Sequence, residues 1–126
     1  MNKRKTSVLV CEDNALMLQG LRYLLTQFDD LEVVGLARDG SQAVEKAREL
    51  QPDVILMDLE MPELDGFSAI RIIAAEHPYV RIIVISASQD EKTAERIIET
   101  GAHGFYPKPV MNAEELYWTI RKADNR

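Results

Sequence analysis

The chain has 126 residues, of which 46% are hydrophobic and 29% charged, and its formal net charge is −6. This length predicts a single domain over residues 1–126, with one substantial core. The acidic balance argues against direct binding to nucleic acid or to an anionic membrane surface, because both need an excess of Lys and Arg.

The cysteine content and the apolar runs indicate a compartment. Cys11 is the single cysteine, so no internal disulfide can form, which fits a reducing cytosol. The apolar run behind the basic N-terminus is about four residues long, which is too short for a signal peptide. No run approaches the roughly 18 apolar residues of a membrane span. We therefore expect a cytoplasmic protein without a membrane segment.

Short apolar runs alternate with amphipathic segments along the whole chain. Spacing, capping residues and Pro or Gly stops predict helices over residues 14–28, 40–50, 66–76, 90–100 and 112–123. The β-rich runs between them predict strands over residues 6–11, 31–37, 53–57, 80–85 and 103–106.

This strict alternation predicts an α/β fold. Five strand–helix units in series form a parallel sheet covered by helices on both faces. Right-handed crossovers leave few topologies, and five strands suit the doubly wound, flavodoxin-like order 2-1-3-4-5.

Polar side chains follow four of the predicted strands. Glu12 and Asp13 come after the first strand, Asp58 after the third, Ser86 after the fourth and Lys108 after the fifth. Ligands of such sheets bind beyond the carboxyl ends of the strands, and the predicted order makes the first and third strands neighbours. We therefore expect the three acids to lie side by side.

Three carboxylates in one cleft repel each other unless a cation neutralises them. A donor set made only of oxygens suits Mg²⁺, with Mn²⁺ as a second candidate. A carboxylate beside such an ion, with a lysine and a hydroxyl close by, can accept a phosphoryl group. Asp58 alone would be interpreted as a turn residue at a strand end, but within this set it is the candidate nucleophile.

Four sequence blocks together carry a family resemblance. Glu12-Asp13, the stretch MDLEMPELDG around Asp58, Ser86-Ala87 and Lys108-Pro109 resemble the receiver domain of two-component response regulators, of the chemotaxis-regulator kind. The blocks occur in order at the expected strand ends, and the resemblance covers nearly the whole chain. Each block alone is weak, whereas the combination is specific.

The resemblance implies a signalling switch. Asp58 would take a phosphoryl group from a sensor histidine kinase or a histidine phosphotransfer protein. Glu12, Asp13, Asp58 and the backbone carbonyl of Glu60 would hold Mg²⁺. Such a domain catalyses only its own phosphorylation and dephosphorylation, so it is not an enzyme in the usual sense.

The resemblance also implies how the signal leaves the site. Lys108 would contact the phosphoryl group, Ser86 would move towards it, and Phe105 would turn inward. This movement would reshape the face of helix 4, strand 5 and helix 5 for an output domain, a partner protein or a homodimer, while helix 1 would meet the kinase. Glu60 and Ser88 occupy positions that tune the phosphoryl lifetime.

The fifth strand departs from the family pattern. Phe105 lacks the hydroxyl of a tyrosine and is expected in the core, and Tyr106 should point the opposite way because strand side chains alternate. Pro107 stiffens the loop before Lys108. His103-Gly104 replaces the acid that receivers with winged-helix output domains usually carry there, so their mode of dimerisation is in question.

Three other functions fit less well. A phosphatase of the haloacid-dehalogenase type needs an Asp two residues after its nucleophile, where Glu60 stands here, and usually a cap domain. A receiver-like module that binds without phosphorylation typically lacks an acid or the lysine, and a flavodoxin needs a Ser/Thr/Gly-rich loop after the first strand. Whether the domain stands alone or belongs to a longer regulator remains open.

Overall fold

The computed structural model describes residues 4–61, 64–87, 90–108 and 112–124. None of the helices in these ranges is long and apolar enough to cross a membrane. The elements in chain order are β1 (Thr6–Cys11), α1 (Ala15–Thr26), β2 (Leu31–Ala37), α2 (Gly40–Leu50), β3 (Val54–Asp58), α3 (Gly66–Glu76), β4 (Arg81–Ser86), α4 (Glu91–Glu99), β5 (Gly104–Pro107) and α5 (Ala113–Ala123).

The five strands form one parallel sheet in the order β2-β1-β3-β4-β5. This confirms the predicted α/β fold class, its topology and its five helices. The register pairs Cys11 with Met57, Asp58 with Ile85, and Ser86 with Pro107. The carboxyl ends of β1, β3, β4 and β5 therefore meet along one edge.

The core consists of two layers, one on each face of the sheet. The central strand β3 is buried throughout, since Ile55 and Met57 contribute to the layer under α2 and α3, while Val54 and Leu56 face the layer under α1 and α5. A fully buried aliphatic side chain stabilises the fold by about 1.5–3 kcal/mol. This burial holds the tip of β3, and with it Asp58, in a fixed position.

Each helix begins with a side-chain cap. In every case a carboxylate or amide oxygen accepts a hydrogen bond from a backbone N–H of the first turn, which satisfies one of the free donors at a helix start. The capping residues are Asn14, Asp39, Asp65, Asp90 and Asn112.

The predicted element boundaries differ from the structure by one or two residues. Helix α1 ends at Thr26 rather than at 28, because Phe28 leaves the helix to stack on Tyr117 with ring centroids 4.5 Å apart. Strands β3 and β4 each extend one residue further than expected, so Asp58 and Ser86 are the last residues of their strands. The sheet ladder thereby fixes the backbone of both polar residues.

Candidate functional site

Asp58 ends the central strand and is only 3% exposed. Its Oδ1 accepts a hydrogen bond of 3.2 Å from the backbone N–H of Glu60. The N–H of Gly66, the first residue of α3, donates to the carbonyl of Leu59 at 3.3 Å. The carboxylate therefore lies at the end of a buried strand, beside the backbone of Glu60.

Lys108 joins the two buried acids. Its Nζ lies 2.7 Å from Oε1 of Glu12 and 3.1 Å from Oδ2 of Asp58. The lysine directly follows β5, and its backbone N–H donates to the carbonyl of Ser86 at 2.9 Å. Residues from three strand ends, far apart in the sequence, thus form one charged cluster at the carboxyl edge of the sheet.

One lysine does not neutralise two buried carboxylates. Burial and the neighbouring Glu12 raise the pKa of Asp58 to about 7. Burial also opposes ionisation of Glu12, but hydrogen bonding with Asp58 and Lys108 keeps the pKa of Glu12 below its ordinary value. Although burial disfavours its charge, hydrogen bonds to both acids raise the pKa of Lys108. Below about pH 7 Asp58 therefore holds a proton, which a bound cation would displace.

The remaining predicted site residues occupy different positions around this cluster. Ser86 is buried at the end of β4, beside Pro107. Asp13 and Glu60 are exposed at the same edge. Ser88 lies outside the described residues.

The expectation that Phe105 belongs to the core is wrong. The side chain is 38% exposed, whereas its neighbour Tyr106 is buried against the layer under α1 and α5. The alternation predicted for these two residues is therefore confirmed. Strand β5 lies at the edge of the sheet, and Phe105 lies on the face of β5 opposite to Tyr106, which the helices cover incompletely.

The donor set of the site fits a divalent cation. Glu12 and Asp58 supply buried carboxylate oxygens, and the excess negative charge favours a hard cation with oxygen ligands. Within the described ranges, no three acidic, histidine or cysteine side chains are already gathered around one point. The exposed carboxylate of Asp13 would complete the set beside Glu12.

Arg38, the first residue after β2, is missing from the set of site residues predicted from the sequence. It lies at the same edge of the sheet, and its guanidinium donates to the backbone carbonyl of Asp13. The sequence signal for it is a polar residue directly after β2, like those that follow the other strands of the site. Gly40, which the sequence predicts only as the first residue of a helix, packs against the backbone of Leu64 in the loop after β3.

Replacing Asp58 with asparagine should stabilise the metal-free protein above neutral pH. The folded-state pKa of about 7 exceeds the ordinary value of 3.8, so the wild type loses stability as the pH rises from about 4 to about 7. An asparagine side chain cannot ionise, so Asp58→Asn should gain on the order of 2–4 kcal/mol at about pH 8 and nearly nothing at about pH 4. Urea unfolding with a chelator across this range measures the difference, and parallel curves for the two proteins would contradict it.

The match to a family of known proteins agrees with this geometry. The sequence model of the response regulator receiver domain family matches residues 8–121 of the chain. The chain therefore belongs to the response regulator receiver domain family.

Individual relatives agree with this family. The chain is 43% identical to a protein-glutamate methylesterase/protein-glutamine glutaminase of Thermotoga maritima, covering 99% of this chain and 39% of the relative. It is 36% identical over 107 residues to the response regulator GacA of Pseudomonas viridiflava, covering 85% and 50%. The chain thus spans half or less of the length of these curated relatives.

Two solved structures show the same fold. The crystal structure of the response regulator domain of Thermotoga maritima CheB superposes with a TM-score of 0.88, at 38% identity and 98% coverage of both chains. A LuxR-family response regulator from Aurantimonas superposes with a TM-score of 0.89 at 28% identity, covering 95% of this chain and 85% of that one.

Proposed function

We propose that the chain is a single receiver domain, over residues 1–126, that accepts a phosphoryl group on Asp58 in a reaction that depends on Mg²⁺. The observation that carries the proposal is the cluster at the carboxyl edge of the sheet, where Nζ of Lys108 lies 2.7 Å from Glu12 and 3.1 Å from Asp58. In a member of this family, that arrangement combines an acceptor, an acidic ion site and a cation for the transferred group.

The chemistry depends on the positions of the side chains. An oxygen of Asp58 attacks the phosphorus, the new O–P bond forms, and the P–N bond of a donor phosphohistidine breaks with its electron pair leaving on the imidazole nitrogen. Lys108 offsets charge on the phosphoryl oxygens. When bound by Glu12, Asp13, Asp58 and the carbonyl of Glu60, Mg²⁺ would add further neutralisation and favour ionised Asp58.

Two surfaces support the proposed partners. An apolar groove of about 640 Å³ runs along α1 and reaches Lys108, with Leu16 and Tyr23 largely exposed on it. This position suits a histidine kinase or a phosphotransfer protein, because a donor docked there would lie next to Lys108, which contacts Asp58.

We assign the cytoplasm as the compartment, which the free thiol of Cys11 fits.

The face formed by α4, β5 and α5 supports the proposed output surface. Ile98 on α4, Phe105 on β5 and Trp118 on α5 expose large apolar side chains. An output domain, a separate partner or a second copy of the chain would cover them. Phosphoryl transfer would alter this face through Ser86, which lies in register with Pro107 of β5. Glu60 and Ser88 remain proposed determinants of the phosphoryl lifetime.

The test is the intact mass after incubation with acetyl phosphate and Mg²⁺. We expect wild type to gain one phosphoryl group and Asp58→Ala to gain none, because the acceptor oxygen is absent. A chelator should prevent the gain in wild type.

Asp29→Ala provides the matched control, since Asp29 is an exposed aspartate in the turn between α1 and β2. It should be labelled as wild type is. Failure of wild type to gain mass, under conditions that label another receiver, would favour the module that binds without phosphorylation. Gain of mass by Asp58→Ala would move the acceptor to another residue.

A further inference from the structure

Arg38 is the first residue after β2 and belongs to the turn that leads into α2. Its backbone N–H donates to Oε1 of Gln42 at 2.9 Å, which fixes the start of this turn. The side chain is exposed and lies at the carboxyl edge of the sheet. There it reaches the loop between β1 and α1.

The guanidinium of Arg38 holds the backbone of Asp13. Nη2 and Nε both donate to the carbonyl oxygen of Asp13, at 2.9 and 3.3 Å. The N–H of Glu12 donates to the carbonyl of Ala37 at 2.9 Å, and the N–H of Asn14 donates to Oε2 of Glu12 at 3.2 Å. The end of β2 therefore fixes the acidic loop at two successive residues.

The same turn also touches the loop that follows Asp58. A Cβ at Gly40 would lie 1.9 Å from the carbonyl oxygen of Leu64, so the two backbones are in direct contact. Residues 38–40 thus contact the loop carrying Glu12 and Asp13 and, at Leu64, the segment between Asp58 and α3.

We propose that Arg38 is a positioning residue for the acidic site, which fixes the main chain of Asp13 and thereby strengthens the binding of a divalent cation. The inference rests on the proposed function, because that function supplies the cation. Arg38 acts through the backbone of Asp13 and contacts neither acceptor nor phosphoryl group. Its hydrogen bonds strengthen binding, whereas its positive charge alone would repel Mg²⁺ and weaken it.

Because the hydrogen bonds and the charge of Arg38 affect Mg²⁺ binding in opposite directions, the sign of the change in Kd tests the proposal. Calorimetric titration with Mg²⁺ should give a Kd about tenfold higher for Arg38→Ala than for wild type, as expected when a residue that orients a ligand is lost. Arg38→Lys, which keeps one donor group, should recover part of the affinity. An unchanged or lower Kd in Arg38→Ala would overturn the proposal.

Arg48→Ala is the matched control. Arg48 is also an exposed arginine that makes two hydrogen bonds, at 2.8 and 2.6 Å, but its partner is Glu76 on α3. Its loss should lower stability to a similar extent and leave the Kd for Mg²⁺ unchanged. An equal rise in Kd in both variants would show a general structural effect and overturn the positioning role.

A second readout is independent of the metal. Amide hydrogen exchange at Asn14 should accelerate several-fold in Arg38→Ala, because the backbone of Asp13 is no longer held. Unchanged exchange would overturn the positioning role, even if wild type binds Mg²⁺ and is phosphorylated. A wild-type protein that neither binds Mg²⁺ nor gains a phosphoryl group would instead overturn the proposed function and this inference with it.

Discussion

Replacing Lys108 with alanine is expected to lower the free energy of unfolding of the metal-free protein by roughly 3 kcal/mol at about pH 8. The Nζ of Lys108 lies within 3.1 Å of both acids, which are 2% and 3% exposed. Without the lysine, two buried carboxylates face each other with no opposing charge. Removing one partner of a buried ion pair is costly for this reason.

The loss should shrink as the pH falls to about 5. Lys108 stays charged over this range, since its folded-state pKa lies above the ordinary value of 10.5. The pH dependence therefore comes from Asp58, which takes up a proton below its pKa of about 7 and relieves the repulsion. Mg²⁺ should stabilise Lys108→Ala more than it stabilises wild type, because the ion replaces the missing positive charge.

Urea unfolding with a chelator and with Mg²⁺ measures these effects. Lys122→Ala, at an exposed lysine of α5, is the control and should change stability by less than about 0.5 kcal/mol. The rate of phosphoryl gain from acetyl phosphate should fall on the order of a hundredfold in Lys108→Ala, as when one preorganised donor is removed from an active site. Equal stability of wild type and Lys108→Ala at about pH 8 would show that the charge of Lys108 does not stabilise the two buried carboxylates.

Gly40→Ala is expected to destabilise the fold by roughly 3 kcal/mol. The added Cβ would lie 1.9 Å from the carbonyl oxygen and 2.6 Å from the carbonyl carbon of Leu64. These are backbone atoms, so no rotation of a side chain relieves the overlap, and either α2 or the loop after β3 must move. The same shift should weaken the binding of Mg²⁺, because this loop follows Asp58.

Gly20→Ala is the matched control for this variant. Gly20 lies within α1, and a Cβ there would meet no heavy atom within 4 Å. Alanine should therefore stabilise the helix by about 0.5–1 kcal/mol. Thermal unfolding of both variants should give shifts of opposite sign, and a stabilised Gly40→Ala would contradict the close packing of the two backbones.

Much of the fold is readable from local sequence patterns. The apolar runs and amphipathic segments predict every strand and helix, since the spacing of apolar residues sets both the type of element and its buried face. Residues at strand ends, such as Asp58 and Ser86, are predictable for the same reason. The strand order is then limited by the alternation and by the handedness of the crossovers.

The exact ends of the helices and strands were harder to predict from the sequence. Phe28 continues the apolar spacing of α1, yet it leaves the helix for the ring of Tyr117 on α5. A local pattern cannot show that a partner so far along the chain competes for the side chain.

The sequence by itself therefore determined the alternating architecture, the parallel sheet and the set of polar residues at its carboxyl edge. The tertiary structure decided that Lys108 joins Glu12 to Asp58, that Arg38 holds the backbone of Asp13, and that Phe105 remains partly exposed. Local patterns encode backbone conformation and burial, which depend on near neighbours in the chain. Contacts between loops depend on strand register and on how completely each helix covers the sheet, and these are set only when the whole domain packs.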